Sequence, residues 1–330
     1  MSALRLTLAC WNYDRTRALA DGRVRADGIE LNYLELPVEE TFFRMARHRE
    51  FDVAEMSLSS YVLSCFEKNP PFVAIPVFPS RSFRHSCIYV HTGSDIRTPQ
   101  DLIGKRIGSP EYQLTACVWI RGTLADDYGV PVAAATYVVG GQEEPGRPEK
   151  LQVDLPASIR VERIGAGETL ASMLARGEID ALYTPRMPSA FRAGNGCVKR
   201  LFGDFGAVER EYFHRTRIFP IMHVVVVRRD VYESNRWVAQ SLHKAFAAAK
   251  EETYADLSET AALKATLPWL TAHVEEARRE MGDDFWPYGL DRNSHTLATF
   301  LRYSHEQGLA KRMLDPAELF AAETLESFKI

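Results

Sequence analysis

The sequence lacks the features that mark several large classes of protein. It has no run of eighteen uncharged apolar residues, so we expect no membrane-spanning helix and no membrane partner. It has no basic block and a formal net charge of -4, which argues against nucleic acid as a partner. It also has neither a nucleotide-binding glycine loop nor the GxSxG elbow of serine hydrolases, so those functions are disfavoured.

Paired cysteines are missing as well. The five cysteines are an odd number and include no CxxC pair, which is typical of reduced thiols rather than of a disulfide framework. Residues 1–10 form a short alternating run without a long apolar region or a cleavage site, so we expect a first β-strand there and not a signal peptide. Both observations predict a cytoplasmic protein.

The residues that are present indicate a globular α/β protein. With 330 residues, of which 46% are apolar and 25% charged, the chain is long enough for two lobes, and a homo-oligomer is left open. Strand and helix patterns alternate over the first ninety residues, which predicts a mostly parallel sheet covered by helices. The strands are expected at 4–10, 28–36, 51–56 and 72–78.

Polar and aromatic residues stand where these predicted strands end. Trp11 and Tyr13 follow the first strand, and Glu55 and Ser57 lie at the end of the third. Ligands of such sheets bind beyond the carboxyl ends of the strands, so all four are candidate site residues. The alternatives are that Glu55 caps the next helix and that the two aromatic residues pack at a rim.

The segment from Arg81 to Cys87 brings unusual charge to an apolar strand. If it is extended, Arg81 and His85 share one face and Arg84 lies on the other. A buried arginine needs an anionic partner, and its guanidinium fits a carboxylate, so we expect a pocket for an acidic small molecule. One of the two arginines is expected to be structural instead.

The second half of the chain offers three more candidate regions. A helix that opens near residues 111–115 and ends at Gly129 presents free amides to an anion, with Tyr112, Gln113 and Thr115 around it. Arg186 follows a predicted strand at 179–183 and is either a ligand contact or a hinge ion pair. The charged segment 140–150 is either a surface loop or a lid over a cleft.

Histidine is the natural proton donor near neutral pH, and two histidines lie on apolar segments. These are His85 and His223, and the alternative for each is a structural role. No HxxxH or HExxH spacing accompanies them, so we predict no metal and no other cofactor.

Two segments resemble those of the type II periplasmic-binding-protein fold. Residues 98–108 resemble its DLkGKrvg segment, and residues 177–181 resemble its G.vDa segment. The resemblance implies two lobes with a cleft between them, joined near residues 85–91 and 219–227. The first lobe would then comprise residues 1–91 and 219–330, including the C-terminal helices, and the second lobe residues 92–218.

Three longer blocks resemble the 4,5-dihydroxyphthalate decarboxylase family. They run from Phe78 to His85, from Gly140 to Arg147 and from Ile218 to His223. The resemblance implies an enzyme that removes one carboxylate from a dihydroxylated benzene dicarboxylate and yields protocatechuate and carbon dioxide. The easier chemical route protonates the ring carbon first, since direct loss of carbon dioxide leaves an aryl carbanion.

That chemistry requires an acid over the ring carbon, a contact for the phenol and cations for the carboxylates. We therefore assign His85 as the acid, His223 as its partner or as the phenol contact, and Glu55 to a phenol hydroxyl. The candidates for the carboxylates are Arg81, Arg84 and Arg186. The alternative functions are a solute-binding protein for an aromatic carboxylate and an enzyme of the same fold that acts on another carboxylated ring.

Overall fold

The computed structural model describes residues 3–147 and 149–325. These residues form eleven strands and eleven α-helices, besides short 3-10 turns. The strands are β1 (Leu4–Cys10), β2 (Ile29–Glu35), β3 (Val53–Ser57), β4 (Phe72–Arg81), β5 (Ile88–His91), β6 (Arg106–Ser109), β7 (Thr136–Val139), β8 (Arg160–Arg163), β9 (Ala181–Tyr183), β10 (Val198–Arg200) and β11 (Ile221–Arg228). The helices are α1 (Asp14–Ala20), α2 (Val38–His48), α3 (Leu58–Ser64), α4 (Thr115–Tyr128), α5 (Leu170–Arg176), α6 (Ser189–Arg192), α7 (Phe205–Thr216), α8 (Arg229–Ser234), α9 (Trp237–Ser258), α10 (Leu270–Met281) and α11 (Ser294–Glu306).

The strands belong to two separate sheets. The first sheet has the order β2-β1-β3-β11-β4, and the second has the order β10-β5-β9-β6-β7-β8. Both are mixed, because β11 runs antiparallel to its neighbours in the first sheet and β5 does so in the second. The predicted α/β fold class is confirmed, and most of the predicted elements of the first ninety residues are present.

The first sheet is buried because its central strands are apolar. Every residue of β3 is buried, and the valines of β11, residues 224–227, are at most 1% exposed. β-Branched residues pack well on a pleated surface that is covered on both sides. A single carboxylate, that of Glu55, therefore lies within a strand that otherwise belongs to the core.

The chain crosses between the sheets after β4, and here the predicted extended strand is wrong. β4 ends at Arg81, and residues His85–Cys87 form a 3-10 turn. The turn is closed by the Cys87 N–H, which donates to the Arg84 carbonyl at 3.1 Å, and is held by the Ser86 N–H on the Glu209 carboxylate. The predicted sharing of faces by alternate residues therefore does not apply beyond Arg81.

Strand β5 belongs to the second sheet. It pairs with β9 and β10, so the chain passes from the first sheet to the second between residues 81 and 88. The return strand β11 pairs with β3 and β4, as expected for residues that rejoin the first sheet. The division into two lobes remains a prediction.

Helix α4 connects the two halves of the molecule. It ends at Gly129, which has the left-handed φ of 65° that suits glycine at a helix end. Its Trp119 indole N–H donates to the Ile221 carbonyl of β11, and its Arg121 guanidinium donates to Gln307 just after α11. Among the C-terminal helices, α11 packs against α4 and α9 packs against β4 of the first sheet.

None of the helices within residues 3–147 and 149–325 combines the length and apolar character needed to cross a membrane.

Candidate active site

The site is built around the buried carboxylate of Glu55. Because β1 and β3 are parallel neighbours, their carboxyl ends meet at one edge of the first sheet, and the residues after β1 lie beside Glu55. The Trp11 backbone N–H and the Tyr13 hydroxyl donate to the two carboxylate oxygens at 3.0 and 2.6 Å, and the Cys10 thiol donates at 3.5 Å. The carboxylate therefore has no exposed surface and serves several donors at once.

His223 completes a charged pair with this carboxylate. In the β3–β11 ladder Glu55 pairs with Val225 and Ser57 with His223, so Glu55 and His223 are diagonal neighbours on one face. The His223 Nδ1 lies 2.5 Å from Glu55 Oε1, while the imidazole remains 17% exposed. Within residues 3–147 and 149–325 its other nitrogen, Nε2, has no hydrogen-bond partner and is open to a ligand.

The electrostatics favour a charged Glu55. Burial alone raises the pKa of a carboxyl group, but the adjacent His223 and the hydrogen bonds from Tyr13 and Trp11 outweigh it, so the pKa of Glu55 lies below its usual value. Burial and the Glu55 charge raise the pKa of the Tyr13 hydroxyl, which stays protonated and donates. An ionised carboxylate only accepts hydrogen bonds, so it stabilises a proton on His223 Nδ1.

Helix α2 links this pair to a cleft of about 570 Å³, although neither Glu55 nor His223 is among the residues that line it. The ring of Phe42 on α2 packs edge-on against the His223 ring with a centroid distance of 4.8 Å, and Glu39, one helical turn away, lines the cleft. The volume suits a small organic ligand. Other lining residues include Leu114, Gln142, Arg147, Thr184 and Arg186.

Two arginines supply positive charge to the cleft. The Arg147 and Arg186 guanidinium groups each pair with the Glu39 carboxylate, at 3.1 and 3.3 Å. Arg186 is 60% exposed along its side chain, so it is accessible to a ligand. The structure thus places the predicted residue Arg186 in the cleft that Glu39 of α2 lines.

Ser57 and Thr115 join the first sheet to the start of α4. Their hydroxyl oxygens are 2.8 Å apart, and the Thr115 hydroxyl also accepts the Ser59 N–H at 3.0 Å. Both residues are buried next to Leu114, which lines the cleft. They therefore join the strand position opposite His223 to the segment that carries Leu114.

The predicted ring of three polar residues at the start of α4 is not formed. The Tyr112 hydroxyl donates to the Gln307 carbonyl, and the Gln113 amide donates to the Leu151 carbonyl, so both side chains are buried in the interior. The helix also begins at Thr115, later than predicted, because Leu114 still has an extended backbone. None of the three lines the cleft, although Leu114 between Gln113 and Thr115 does.

Arg81 is held by oxygen acceptors of the protein itself. Its guanidinium donates to the Phe219 and Pro287 carbonyls at 3.1 and 2.7 Å and to the Asn293 side chain. Burial lowers the pKa of Arg81 to about 9. The residue joins β4 to the C-terminal segment and does not line the cleft.

Arg84 has weak acceptors instead. Its guanidinium contacts the Met222 sulfur at 3.1 Å and the Cys87 sulfur at 3.6 Å. It lies in the crossing between the sheets, not among the residues that line the cleft.

His85 lies in an apolar enclosure beside that crossing. Aromatic rings of Tyr128, Phe202 and Tyr212 pack edge-on around it, and neither ring nitrogen has a partner among the described residues. Burial lowers the pKa of His85 to about 4. The space beside it is about 10 Å³, which does not exceed what one water molecule needs.

Three residues of the site were not singled out in the sequence, namely Glu39, Phe42 and Arg147. Arg147 lies in the charged segment that was expected to be a surface loop or a lid, and it does line the cleft. Glu39 and Phe42 carry no sequence signal beyond the amphipathic pattern of α2. Trp11 contributes its backbone N–H, while the residue as a whole is 44% exposed at the rim.

No group of three or more His, Cys, Asp or Glu side chains within residues 3–147 and 149–325 is placed to hold a metal ion.

Comparison with known proteins gives relatives of one kind. The chain is 45% identical over 330 residues to a 4,5-dihydroxyphthalate decarboxylase from Comamonas testosteroni, which covers 100% of both chains. It is 47% identical over 204 residues to a 4,5-dihydroxyphthalate decarboxylase from Pseudomonas putida, covering 62% of this chain and 79% of that one. No protein-family model matches the chain.

Solved structures show the fold. The periplasmic aliphatic sulphonate binding protein of Escherichia coli superposes with a TM-score of 0.52 and 14% identity, over 98% of this chain and 99% of that one. The alkanesulfonate-binding protein of Xanthomonas axonopodis, solved with MOPS, gives 0.51 and 12% over 97% and 99%. These similarities establish the periplasmic-binding-protein fold that the sequence predicts.

Proposed function

Since this chain belongs to the 4,5-dihydroxyphthalate decarboxylase family, we propose that it converts 4,5-dihydroxyphthalate to protocatechuate and carbon dioxide. The observation that supports this most directly is the pair of Glu55 and His223, together with a cleft that contains two arginines and is lined by the same helix α2 that packs on His223. A proton donor and cations are the groups that the reaction needs. The ligand is therefore a small aromatic carboxylate.

His223 is the group we assign to proton transfer. Glu55 accepts the Nδ1–H of the ring, and in the imidazolium form of His223 the Nε2–H donates its proton to the ring carbon that bears the departing carboxylate. The para hydroxyl feeds electrons into the ring as that proton arrives. The bond to the carboxylate then breaks, carbon dioxide leaves, and its electron pair restores the aromatic ring.

Three of the predicted residues take other roles in this site. The sequence favours His85 as the acid, but its enclosure has no room for a substituted ring, so we place the acid at His223. Glu55 acts through His223 and not on a phenol, because its oxygens already serve protein donors. Tyr13 supports Glu55 in the same way.

Arg147 and Arg186 are the proposed binding groups for the carboxylate that remains on the ring. Pairing a cation with the departing carboxylate would stabilise the ground state more than the transition state, in which that charge is lost. Holding the other carboxylate orients the ring without this penalty. Arg81 and Arg84 have no part in the proposed site.

The free thiols support a reducing compartment, and we propose the cytoplasm as the place of the reaction. All five cysteines are unpaired in the structure, three of them buried.

The direct test is to incubate the purified protein with 4,5-dihydroxyphthalate and to measure carbon dioxide and protocatechuate. We expect both products in equal amounts. If neither forms, with or without an added divalent metal, the proposal is wrong. Tight binding of the compound without turnover would instead favour a solute-binding role.

A further inference from the structure

The carboxylate of Glu39 forms ion pairs with both arginines of the cleft. Its Oε1 lies 3.1 Å from Arg147 and its Oε2 lies 3.3 Å from Arg186, so each oxygen serves a different guanidinium. All three residues line the same cleft. One side-chain carboxylate thus takes the position between two cations that the proposed function gives to a ligand carboxylate.

The exposure of these two ion pairs suits the exchange of Glu39 for a ligand carboxylate. The side chains of Glu39, Arg147 and Arg186 are 39%, 21% and 60% exposed. Ion pairs with this much access to water contribute little to stability. Replacing Glu39 by another carboxylate at the same arginines therefore costs the folded protein little.

Nearby acidic groups do not take its place. Glu111 lies 3.8 Å from Arg147, but it is buried and already pairs with Lys150 at 2.5 Å. Glu143 also lines the cleft, and its carboxylate accepts the Ser189 hydroxyl and N–H. Of these three carboxylates, only that of Glu39 has all its partners within the described residues among the cleft arginines.

The contact between α2 and the segment around Arg147 has other supports. Arg47 of α2 donates to the Glu149 carbonyl at 2.8 Å, and Lys150 lies 5.6 Å from the centroid of the Phe43 ring. Removal of the Glu39 charge therefore leaves these two segments joined. A substitution at Glu39 tests its charge without removing this whole contact.

We propose that Glu39 is an internal competitor that must leave Arg147 and Arg186 before a ligand carboxylate binds there, and that it returns to them when the ligand departs. This inference rests on the proposed function, which names these arginines as the binding groups. The product of the reaction keeps one carboxylate, so it meets the same competition as the substrate. Glu39 thereby weakens the binding of both and favours release of the product.

The test uses isothermal titration calorimetry with phthalate and with protocatechuate. Phthalate has both carboxylates but no hydroxyl groups, so the proposed ring chemistry does not consume it. For Glu39→Gln we expect dissociation constants about three- to tenfold lower than those of the wild type for both compounds. Glu40→Gln is the matched control, because Glu40 stands next in the helix and pairs with Arg44. It should leave both constants unchanged.

Unchanged or weaker binding by a folded Glu39→Gln protein overturns the inference, and Glu39→Ala repeats the test if the first variant does not fold. Wild-type turnover of 4,5-dihydroxyphthalate is measured in parallel. Turnover together with unaltered Glu39→Gln binding rejects the internal competitor alone. If no protein binds either compound or turns over the substrate, the proposed function fails and the inference with it.

Discussion

The two histidines that the sequence singles out lie in opposite environments. His223 pairs with a buried carboxylate, retains 17% exposure and packs against α2, whose Glu39 lines a cleft of about 570 Å³. His85 is enclosed by aromatic rings, has no partner among the described residues and faces a space of about 10 Å³. A strand histidine therefore becomes a candidate acid through its partner and its access to solvent, not through its residue type.

The largest effect on kcat should come from replacing His223, whereas replacing His85 should have little effect. His223→Asn removes the proposed proton donor and should lower kcat by about a thousandfold, within the range for general acid catalysis. His85→Leu should change kcat by less than about threefold. Steady-state assays of both variants, with circular dichroism as a folding control, decide the matter. A folded His85→Leu protein without activity would move proton transfer to His85.

The next largest effect is the contribution of His85 to the pH dependence of the free energy of unfolding. Burial lowers the pKa of His85 to about 4, against about 6.5 for an unfolded chain, so the folded protein resists protonation. Stability should fall as the pH drops from about 6.5 towards about 4, by roughly 3 kcal/mol from this group. Urea unfolding at several pH values should show that His85→Leu loses this part of the pH dependence. Equal slopes for both proteins would contradict the buried neutral state.

Arg186 and Arg84 should differ in the same way. Arg186→Gln removes a cation from the cleft and should raise KM about tenfold, which corresponds to about 1.4 kcal/mol. The kcat should change much less, since the lost contact is made in both the ground and transition states. A fall in kcat with an unchanged KM would show that Arg186 acts in the chemical step.

The smallest effect is expected beside His85. Arg84→Met replaces a guanidinium whose hydrogen bonds within the described residues go only to the sulfur atoms of Met222 and Cys87. It should change KM by less than about twofold. The same assay used for Arg186 provides the measurement. A tenfold rise in KM would bring Arg84 back as a carboxylate ligand.

The fold and one half of the site are predictable from local pattern. Alternating strands and helices predict the α/β fold, and polar residues at strand ends direct attention to Glu55 and Tyr13. His223 stands out because it interrupts an apolar strand. These signals are readable because a strand end and a break in an apolar run are local properties.

The other half depends on contacts between distant residues. The turn at His85 is held by Glu209, which no local pattern connects to it. The pairing of Glu39 with Arg147 depends on how α2 meets a loop from the other half of the chain. For the same reason Arg81, expected to bind an anion, instead bonds to Pro287 and Asn293.

The position of β11 also determines the order in which the molecule can assemble during synthesis. Within residues 3–147 and 149–325, the strands of the second sheet all lie between residues 88 and 200, whereas the only ladder partner of β4 is β11, which ends at Arg228. At about 5–20 residues per second, residues 82–220 take roughly 7 to 28 s to synthesise. The apolar β4 therefore waits without its partner on the ribosome for that time, and slow translation of the middle of the chain should favour aggregation.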